Sequence, residues 1–400
     1  MQDEPRPWVA YVGPFAYPDG GAAARRVRGM AESLVLGGFD VVVASGASDA
    51  VADAGSDFPQ APGLAYRHVG ERVAEHWPRP VRRLRYAWMG RRTLEWLASR
   101  PRPPAAVILY SGYTPYLQRL LPWCRARGIP LLFDAVEWYE PERRAGYFTS
   151  PYQWNIEWAM RRLIPKTNGV IAISRYLGDY YRARGLPVAI VPPTTSAIGA
   201  GDWAPDPTLR LCYAGSPGAN KDNLDIVLRA AQAMAARGAP IALSVAGPTP
   251  GEVAARLGRG DPGGLPWLRS LGNLPQGEVR DLVGRSDFTV LVRADRRQSN
   301  AGFPTKFVES FAAGTPVIGN LTSDLGDHLR DGDTGIVCGG DSFDAVLEAL
   351  VRAAGVGPAG LGHMRAACLA HAQASFAPSV HVEPLRGLLA ACGVRLPPHG

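Results

Sequence analysis

The sequence predicts an α/β protein made of two doubly wound domains, each built on a parallel sheet. Three observations carry that expectation. The chain opens with strand, glycine loop, helix and strand, the unit from which such sheets are wound. The same alternation restarts near Leu211 with unrelated residues. Between the two series stands Pro192-Pro193-Thr194-Thr195, where the missing ladder N–H groups stop a strand from continuing. At 400 residues the chain is also too long for one ordinary core.

Taken in order, the first strand is Trp8-Val-Ala-Tyr-Val12, a short apolar run. A loop rich in Gly and Pro, Gly13 to Gly21, leads into an amphipathic helix from about Ala22 to Leu36. That helix has Val27, Met30, Ala31, Leu34 and Val35 on one stripe. Gly37-Gly38 ends it, and Asp40-Val-Val-Val-Ala44 returns as a second strand. Ala106–Tyr110 and Pro130–Phe133 read as buried strands with a helix, Pro115 to Arg127, between them; Gly169–Ile173 and Ala189–Val191 follow. The second series starts at Leu211–Ala214, with the loop Gly215-Ser216-Pro217-Gly218 and a helix from about Asn223 to Ala236. Strands Ile241–Val245 and Phe288–Val292, helix Thr305–Ala313, and strands Pro316–Ile318 and Gly335–Val337 continue it, and Ser379–Ala391 reads as a closing helix. Residues 1–194 and 195–376 are thus expected as two Rossmann-like domains, with 377–400 as a terminal helix and tail. Open α/β sheets bind ligands beyond their carboxyl ends, so the two domains are expected to face each other across a ligand cleft.

Composition excludes several classes. No run approaches the apolar length that spans a bilayer. The start, Met1-Gln2-Asp3-Glu4-Pro5, has no signal-type apolar region after it, so a cytoplasmic protein is expected. Five cysteines (Cys124, Cys212, Cys338, Cys368, Cys392) stand singly, which reads as buried thiols and not as a disulfide framework. His and Cys do not cluster as zinc ligands do, so chemistry carried by a protein-bound metal is not expected. The net charge of +7 is concentrated: from Arg67 to Arg102 ten arginines face three acids (Glu71, Glu75, Glu95). Interleaved with Trp77, Tyr86, Trp88 and Trp96, this stretch suits anionic lipid headgroups at the inner face of a membrane, or another polyanion. A solvated helix face is the other reading.

The strongest local signal is Asn300-Ala-Gly-Phe-Pro-Thr-Lys-Phe-Val-Glu-Ser-Phe-Ala-Ala-Gly-Thr-Pro-Val-Ile318. A glycine-containing loop runs into a helix, so free amides and the positive end of the dipole point at whatever precedes Thr305, and phosphate suits that place. Lys306 and Glu309 share a helical face one turn on, where a carboxylate can accept both hydroxyls of a ribose. The same spacing also describes an ordinary ion pair on an exposed helix.

This block, with Gly215–Asp222 upstream, Asp19-Gly20-Gly21 near the start, Ile173-Ser174-Arg-Tyr-Leu177 and Val191-Pro-Pro193, resembles the family-4 class of retaining GT-B glycosyltransferases, the glycosyl transferases group 1. The resemblance runs from about Val9 to Ala391 and is most specific over Gly302–Ile318. It implies the GT-B fold, with an N-terminal acceptor-binding domain, a C-terminal nucleotide-sugar domain and a last helix that crosses back onto the N-terminal domain. It also implies roles. Gly20 and Gly21 would approach the donor phosphates and transferred sugar, and Lys221 would neutralise the diphosphate. Gly302, Phe303, Pro304 and Thr305 would offer backbone groups, Glu309 would hold the ribose, and Asn273 and Leu274 would lie against the base. Gly215 begins the first loop of the C-terminal domain.

Three departures stand out. The first of the family's two glutamates is here Ala301, which removes an expected contact to the transferred sugar. The basic neighbour of the loop glycine is Ser216, a charge that Arg293 at the end of its strand could replace. The histidine after the fourth strand is absent from Phe133-Asp-Ala-Val-Glu-Trp-Tyr-Glu140, where Asp134 or Glu137 could orient the acceptor hydroxyl or cap the next element.

The implied activity is transfer of a sugar from a nucleoside-diphosphate donor of UDP or GDP type, without metal or other cofactor. Cations and a helix N-terminus around the diphosphate would stabilise the leaving group. Retention is expected, with the leaving phosphate oxygen helping to take the acceptor proton. The acceptor would be a lipid-linked saccharide, a polysaccharide precursor or a small natural product. A nucleotide-sugar epimerase and a catalytically inactive scaffold of the same fold remain alternatives. A dinucleotide oxidoreductase is disfavoured because Gly13–Pro18 lacks the Gly-x-Gly-x-x-Gly spacing. Nucleic-acid binding through Arg67–Arg102 is not expected.

Overall fold

A computed structural model describes residues 6–47, 57–71, 86–111, 113–141, 150–215, 222–260 and 264–398. Contacts divide the chain into two units: Met1–Thr194 with Pro378–Gly400, and Thr195–Ala377.

Unit 1 is built from β1 (Trp8–Gly13), α1 (Gly21–Leu36), β2 (Asp40–Ser45), β3 (Phe58–Ala61), β4 (Leu64–His68), α2 (Arg91–Ala98), β5 (Ala106–Tyr110), α3 (Tyr113–Ala126), β6 (Leu131–Ala135), α4 (Pro151–Trp158), β7 (Gly169–Ala172), α5 (Arg175–Arg182) and β8 (Val188–Ile190). Its sheet has the order β3-β4-β2-β1-β5-β6-β7-β8, and only the β3–β4 pair is antiparallel. The near-continuous apolar runs of β1, β5 and β7 follow from this arrangement, since a central parallel strand is covered on both faces. The start of α5 is set by Ser174, whose side chain accepts from the Leu177 amide and satisfies one of the helix's orphan donors.

The sequence expectation for this sheet is met by β1, β2, β5, β6, β7 and β8 within two residues at each end. It omitted the β3–β4 hairpin at the sheet edge. Phe58-Pro-Gln-Ala61 carries a proline and no alternating pattern, and a proline is tolerated on an edge strand because its missing N–H faces outward.

Unit 2 contains β9 (Leu209–Ala214), α6 (Leu224–Ala236), β10 (Ile241–Ala246), α7 (Pro250–Arg256), β11 (Leu268–Gly272), α8 (Gln276–Arg285), β12 (Phe288–Leu291), α9 (Arg297–Ala301), α10 (Thr305–Ala312), β13 (Val317–Gly319), β14 (Gly335–Val337), α11 (Phe343–Ala354) and α12 (Pro358–Ser375). All six strands are parallel, in the order β11-β10-β9-β12-β13-β14. Its core packs Leu211, Tyr213, Leu243, Val245, Phe288 and Val290 against α6 and α11.

The last helix, α13 (Val382–Ala391), belongs to unit 1, as the GT-B resemblance implies. Leu385, Leu388 and Leu389 join the core around β1, β2 and α1, and each such side chain contributes about 1.5–3 kcal/mol on burial. The Arg386 guanidinium, almost fully buried, donates to the Gly37 carbonyl at 2.6 Å and to the Pro397 carbonyl at 3.0 Å. Among the described residues no single helix is long and apolar enough to cross a membrane.

Candidate active site

In unit 2 the loops that leave β9, β10 and β11 run side by side at the carboxyl edge of the sheet. The Gly215 amide donates to the Ala246 carbonyl at 2.9 Å and the Gly247 amide to the Gly272 carbonyl at 2.7 Å. Helix α10 begins at the same edge. Its N-cap, Pro304, supplies no side-chain hydrogen bond to the first amides of the helix.

The Lys306 side chain crosses directly over Gly215. Gly215 has φ of 137°, a conformation that favours glycine, and a Cβ there would lie 2.3 Å from Lys306 Cε and displace the lysine from its partners. The Lys306 ammonium donates to the Asp222 carboxylate and, at 3.0 Å, to the Tyr213 hydroxyl, and stands 4.3 Å from the Tyr213 ring centre. Tyr213 in turn donates to Asp222 Oδ2 at 2.8 Å. On the other side of Asp222 is Arg293, 6% exposed, with Nε 3.9 Å from Oδ1. Arg293 is held at the end of its strand by Asn320, which accepts from the Arg293 amide at 2.8 Å and donates to its carbonyl at 2.7 Å. Its guanidinium donates to the Ser299 carbonyl at 3.0 Å.

Burial lowers the Lys306 pKa below its ordinary value, and the Asp222 and Glu309 carboxylates oppose that shift without cancelling it. Burial, followed by the Asp222 charge, raises that of Tyr213. An ammonium carries three donors. Two are used on Asp222 and Tyr213, which leaves one for a ligand. The cluster is therefore two nearly buried cations on either side of the Asp222 carboxylate, beside the N-terminus of α10. Such a place favours an anion with several oxygens.

The structure brings together Gly215, Arg293, Lys306, Thr305 and, through its charge on Lys306, Glu309. Gly302, Phe303 and Ala301 are buried. The Phe303 ring belongs to an aromatic cluster with Phe307, His328 and Phe376, centroids 5.4–6.1 Å away, so only its backbone is open to a ligand role. Asn273 is exposed just after Gly272. The Leu274 side chain instead packs, as Val279 and Leu282 of α8 do, against a buried cluster of Cys212, Ala214, Ala246, Val283 and Ala313, at the wall of a groove of about 680 Å³ that Arg269, Asp281 and Arg285 also line. Ser216 and Lys221 lie outside the described residues. Sequence reasoning quoted Asp222 and gave it no role, and it missed Tyr213. The only signal for either was a polar group at the end of an apolar strand and another beside a lysine.

In unit 1 the start of α1 is made by two glycines. A Cβ on Gly20 would meet the Ala16 carbonyl oxygen at 2.3 Å, and Gly21 has φ of 61°. Asp134 departs from its expected role. It is wholly buried, and its carboxylate accepts from Arg26 Nη2 at 2.9 Å, Arg26 Nε at 3.2 Å and the Tyr11 hydroxyl at 2.5 Å. Arg26 also donates to the Val191 and Pro192 carbonyls at 2.6 and 2.7 Å. Asp134 thus ties β6 to β1, α1 and the chain beyond β8, and no oxygen of it reaches solvent.

Glu137 is half-buried and lies among tyrosines. Its charge adds to burial in raising the pKa values of Tyr110, Tyr113, Tyr139 and Tyr152. Ser111 and Tyr113, at the end of β5, have φ of 57° and 41°, a conformation that costs about 1–3 kcal/mol and that clusters at functional positions. Of the basic stretch, the described part is largely engaged. Arg100 pairs with Asp57 at 2.7 Å and lies over Trp8 and Trp96. Trp96 is a core residue at 7% exposed, whereas Trp88 is exposed. Residues 72–85, with Trp77, lie outside the described residues.

Residues 21–194 match the family model of the glycosyl transferase 4-like domain, and residues 208–355 that of the glycosyl transferases group 1. No curated protein matches the sequence. Among solved structures, the chain is similar to sucrose-phosphate synthase from Thermosynechococcus elongatus, with a TM-score of 0.71 at 14% identity, over 96% of this chain and 100% of the other. It is similar to HepE of Anabaena in complex with UDP-glucose, with a TM-score of 0.64 at 12% identity, over 96% and 99%. It is also similar to the lipopolysaccharide outer core galactosyltransferase WaaB, with a TM-score of 0.62 at 13% identity, over 96% and 99%.

Proposed function

We propose that this chain, which belongs to the group 1 glycosyltransferases of GT-B fold, transfers a sugar from a nucleoside-diphosphate donor to an acceptor hydroxyl with retention of configuration. The observation that carries the reading is the pair of nearly buried cations, Lys306 and Arg293, around Asp222 beside the N-terminus of α10. Charge that develops on the leaving diphosphate is stabilised by groups already in place, which need no reorganisation during the reaction. Lys306 and Arg293, with Lys221 from the preceding loop, supply the charge a metal would otherwise bring, so the reaction runs without one. Glu309 holds the ribose hydroxyls, and Asn273 lies beside the base.

The donor is of UDP or GDP type. HepE, whose fold this chain shares, was solved with UDP-glucose, which supports UDP. With Ala301, the last residue of α9, where the family places a glutamate, the transferred sugar is held by fewer charged contacts. On the acceptor side, Glu137 in its ring of tyrosines orients the acceptor hydroxyl, and the leaving phosphate oxygen takes the proton. The acceptor is a lipid-linked saccharide or polysaccharide precursor, with a small natural product as the other class. The protein works in the cytoplasm.

Thermal-shift titration with UDP, GDP, TDP and ADP, with and without EDTA, tests the donor half. A ligand of the native state raises the melting temperature. One diphosphate should do so with EDTA present, and Lys306→Ala and Glu309→Ala should remove the effect. No shift with any of them would sink the reading in favour of an inactive scaffold. NMR of the first-formed anomer tests retention, and an inverted product would overturn it.

A further inference from the structure

Helix α4 and the turn after it carry an outward face unlike the rest of the protein. Gln153 and Ile156 point inward and are buried. Trp154 and Trp158, four residues apart on one face, are both 53% exposed, and Arg162 is exposed one turn on; the exposed Arg161 donates to Glu157 at 2.6 Å and lies over Trp138. Trp88 is 54% exposed and belongs to the adjoining segment, since Asn155 of α4 donates to the Tyr86 hydroxyl at 2.7 Å. Five aromatic side chains are exposed among the described residues, and all of them lie in unit 1.

Charge is distributed in the same sense. Unit 1 has 27 Lys and Arg against 18 Asp and Glu, a net of +9; unit 2 has 16 against 18, a net of −2. Exposed tryptophan and tyrosine beside arginine is the composition of a bilayer interface, where rings sit at the headgroups and cations meet anionic lipid. Single-stranded nucleic acid also stacks its bases on rings beside arginine, but in a positively charged groove that tracks its backbone, whereas these tryptophans stand on the outer face of one helix.

We propose that the Trp154–Trp158 face of α4, with Arg162 and the Glu157-paired Arg161 beside it, docks unit 1 on an anionic lipid bilayer. This deepens the reading above, on which it rests for its purpose, because the inner side of α4 holds the acceptor segment. Gln153 donates to the Tyr139 carbonyl at 3.0 Å, and Trp138 donates to Glu157 at 3.1 Å. A docked α4 therefore keeps Glu137 next to the membrane plane, where a lipid-linked acceptor presents its sugar.

The test is co-sedimentation of the full chain with phosphatidylcholine vesicles, with and without phosphatidylglycerol, at rising salt. The wild type should partition onto the anionic vesicles and leave them as salt screens the charge. Trp154→Ser/Trp158→Ser should abolish partitioning. Arg161→Gln/Arg162→Gln should weaken it about fivefold per arginine, from about 1 kcal/mol per charge near the surface. All variants should melt with the wild type. Four results overturn the proposal, and the first three are no partitioning of the wild type, partitioning indifferent to both double variants, and a dimer by light scattering that the tryptophan variant makes monomeric. Retention of single-stranded RNA with the same variant dependence, and none of vesicles, also overturns it. No donor is present in the assay, so its failure leaves the transferase reading standing, and a missing UDP shift leaves vesicle binding standing.

Discussion

Replacing Asp134 by Asn keeps the shape of the side chain and removes its charge. Arg26 is then left buried, at 2% exposed, with no carboxylate opposite it. Removing one partner of such a pair costs about 3–5 kcal/mol, most of it the penalty of an uncompensated charge. The Val191 and Pro192 carbonyls still accept from the guanidinium, but neither neutralises it. In a domain of this size each kcal/mol moves the midpoint by about 2–4 °C, so unit 1 should melt roughly 6–20 °C lower. Differential scanning calorimetry reads the fall, and steady-state kinetics on the folded variant at low temperature read the site. We expect kcat and acceptor KM to stay close to the wild type. A midpoint within about 2 °C of the wild type would show that the pair carries little stability. A folded variant with a large loss of kcat would put Asp134 back at the reacting atoms.

Lys306→Met should weaken nucleoside-diphosphate binding by roughly 10–150-fold, the effect of one hydrogen bond to a charged group, measured by calorimetric titration. Because burial holds the Lys306 pKa below its ordinary value of 10.5, and a bound diphosphate raises it again, affinity should be full below that depressed pKa. It should fall up to tenfold per pH unit above it, and Lys306→Met should flatten the profile. If Glu309 holds the ribose, a 2′-deoxynucleoside diphosphate should bind the wild type at least about tenfold more weakly than its ribose counterpart, with the difference gone in Glu309→Gln. Burial, helped by Arg330, lowers the His371 pKa below 6.5. The unfolded chain then binds the extra proton more readily, so unit 2 should lose stability as pH falls through 6.5, and His371→Gln, scanned beside the wild type, should remove that slope.

What was legible in the sequence was local. The Lys306–Glu309 spacing and the glycine before the helix could be read directly, because three residues along a helix are neighbours whatever the fold. Tyr213, Asp222 and Lys306 stand 84 and 93 positions apart along the chain and meet only because β9 and α10 share one edge of the sheet. Asp134 was misassigned for the same reason, since its partner Arg26 lies 108 residues away on α1 and no spacing rule joins them. Arg293 could be singled out from its position at a strand end, but its hold by Asn320 spans two strands and no spacing rule reveals it. The α4 face escaped notice because Pro151–Trp158 has tyrosine and tryptophan where a surface helix normally has charge, so its polarity does not reveal which side is buried.

The return of the chain to unit 1 has a consequence during synthesis. The core that holds Val9, Val41 and Val43 is completed by Leu385, Leu388 and Leu389, which leave the ribosome after all of unit 2. Unit 2 can bury its own sheet while the first domain still waits with one side of α1 uncovered. The domain that is translated first is thus the last to have all of its core residues available, an inversion of the usual N-terminal-first sequence.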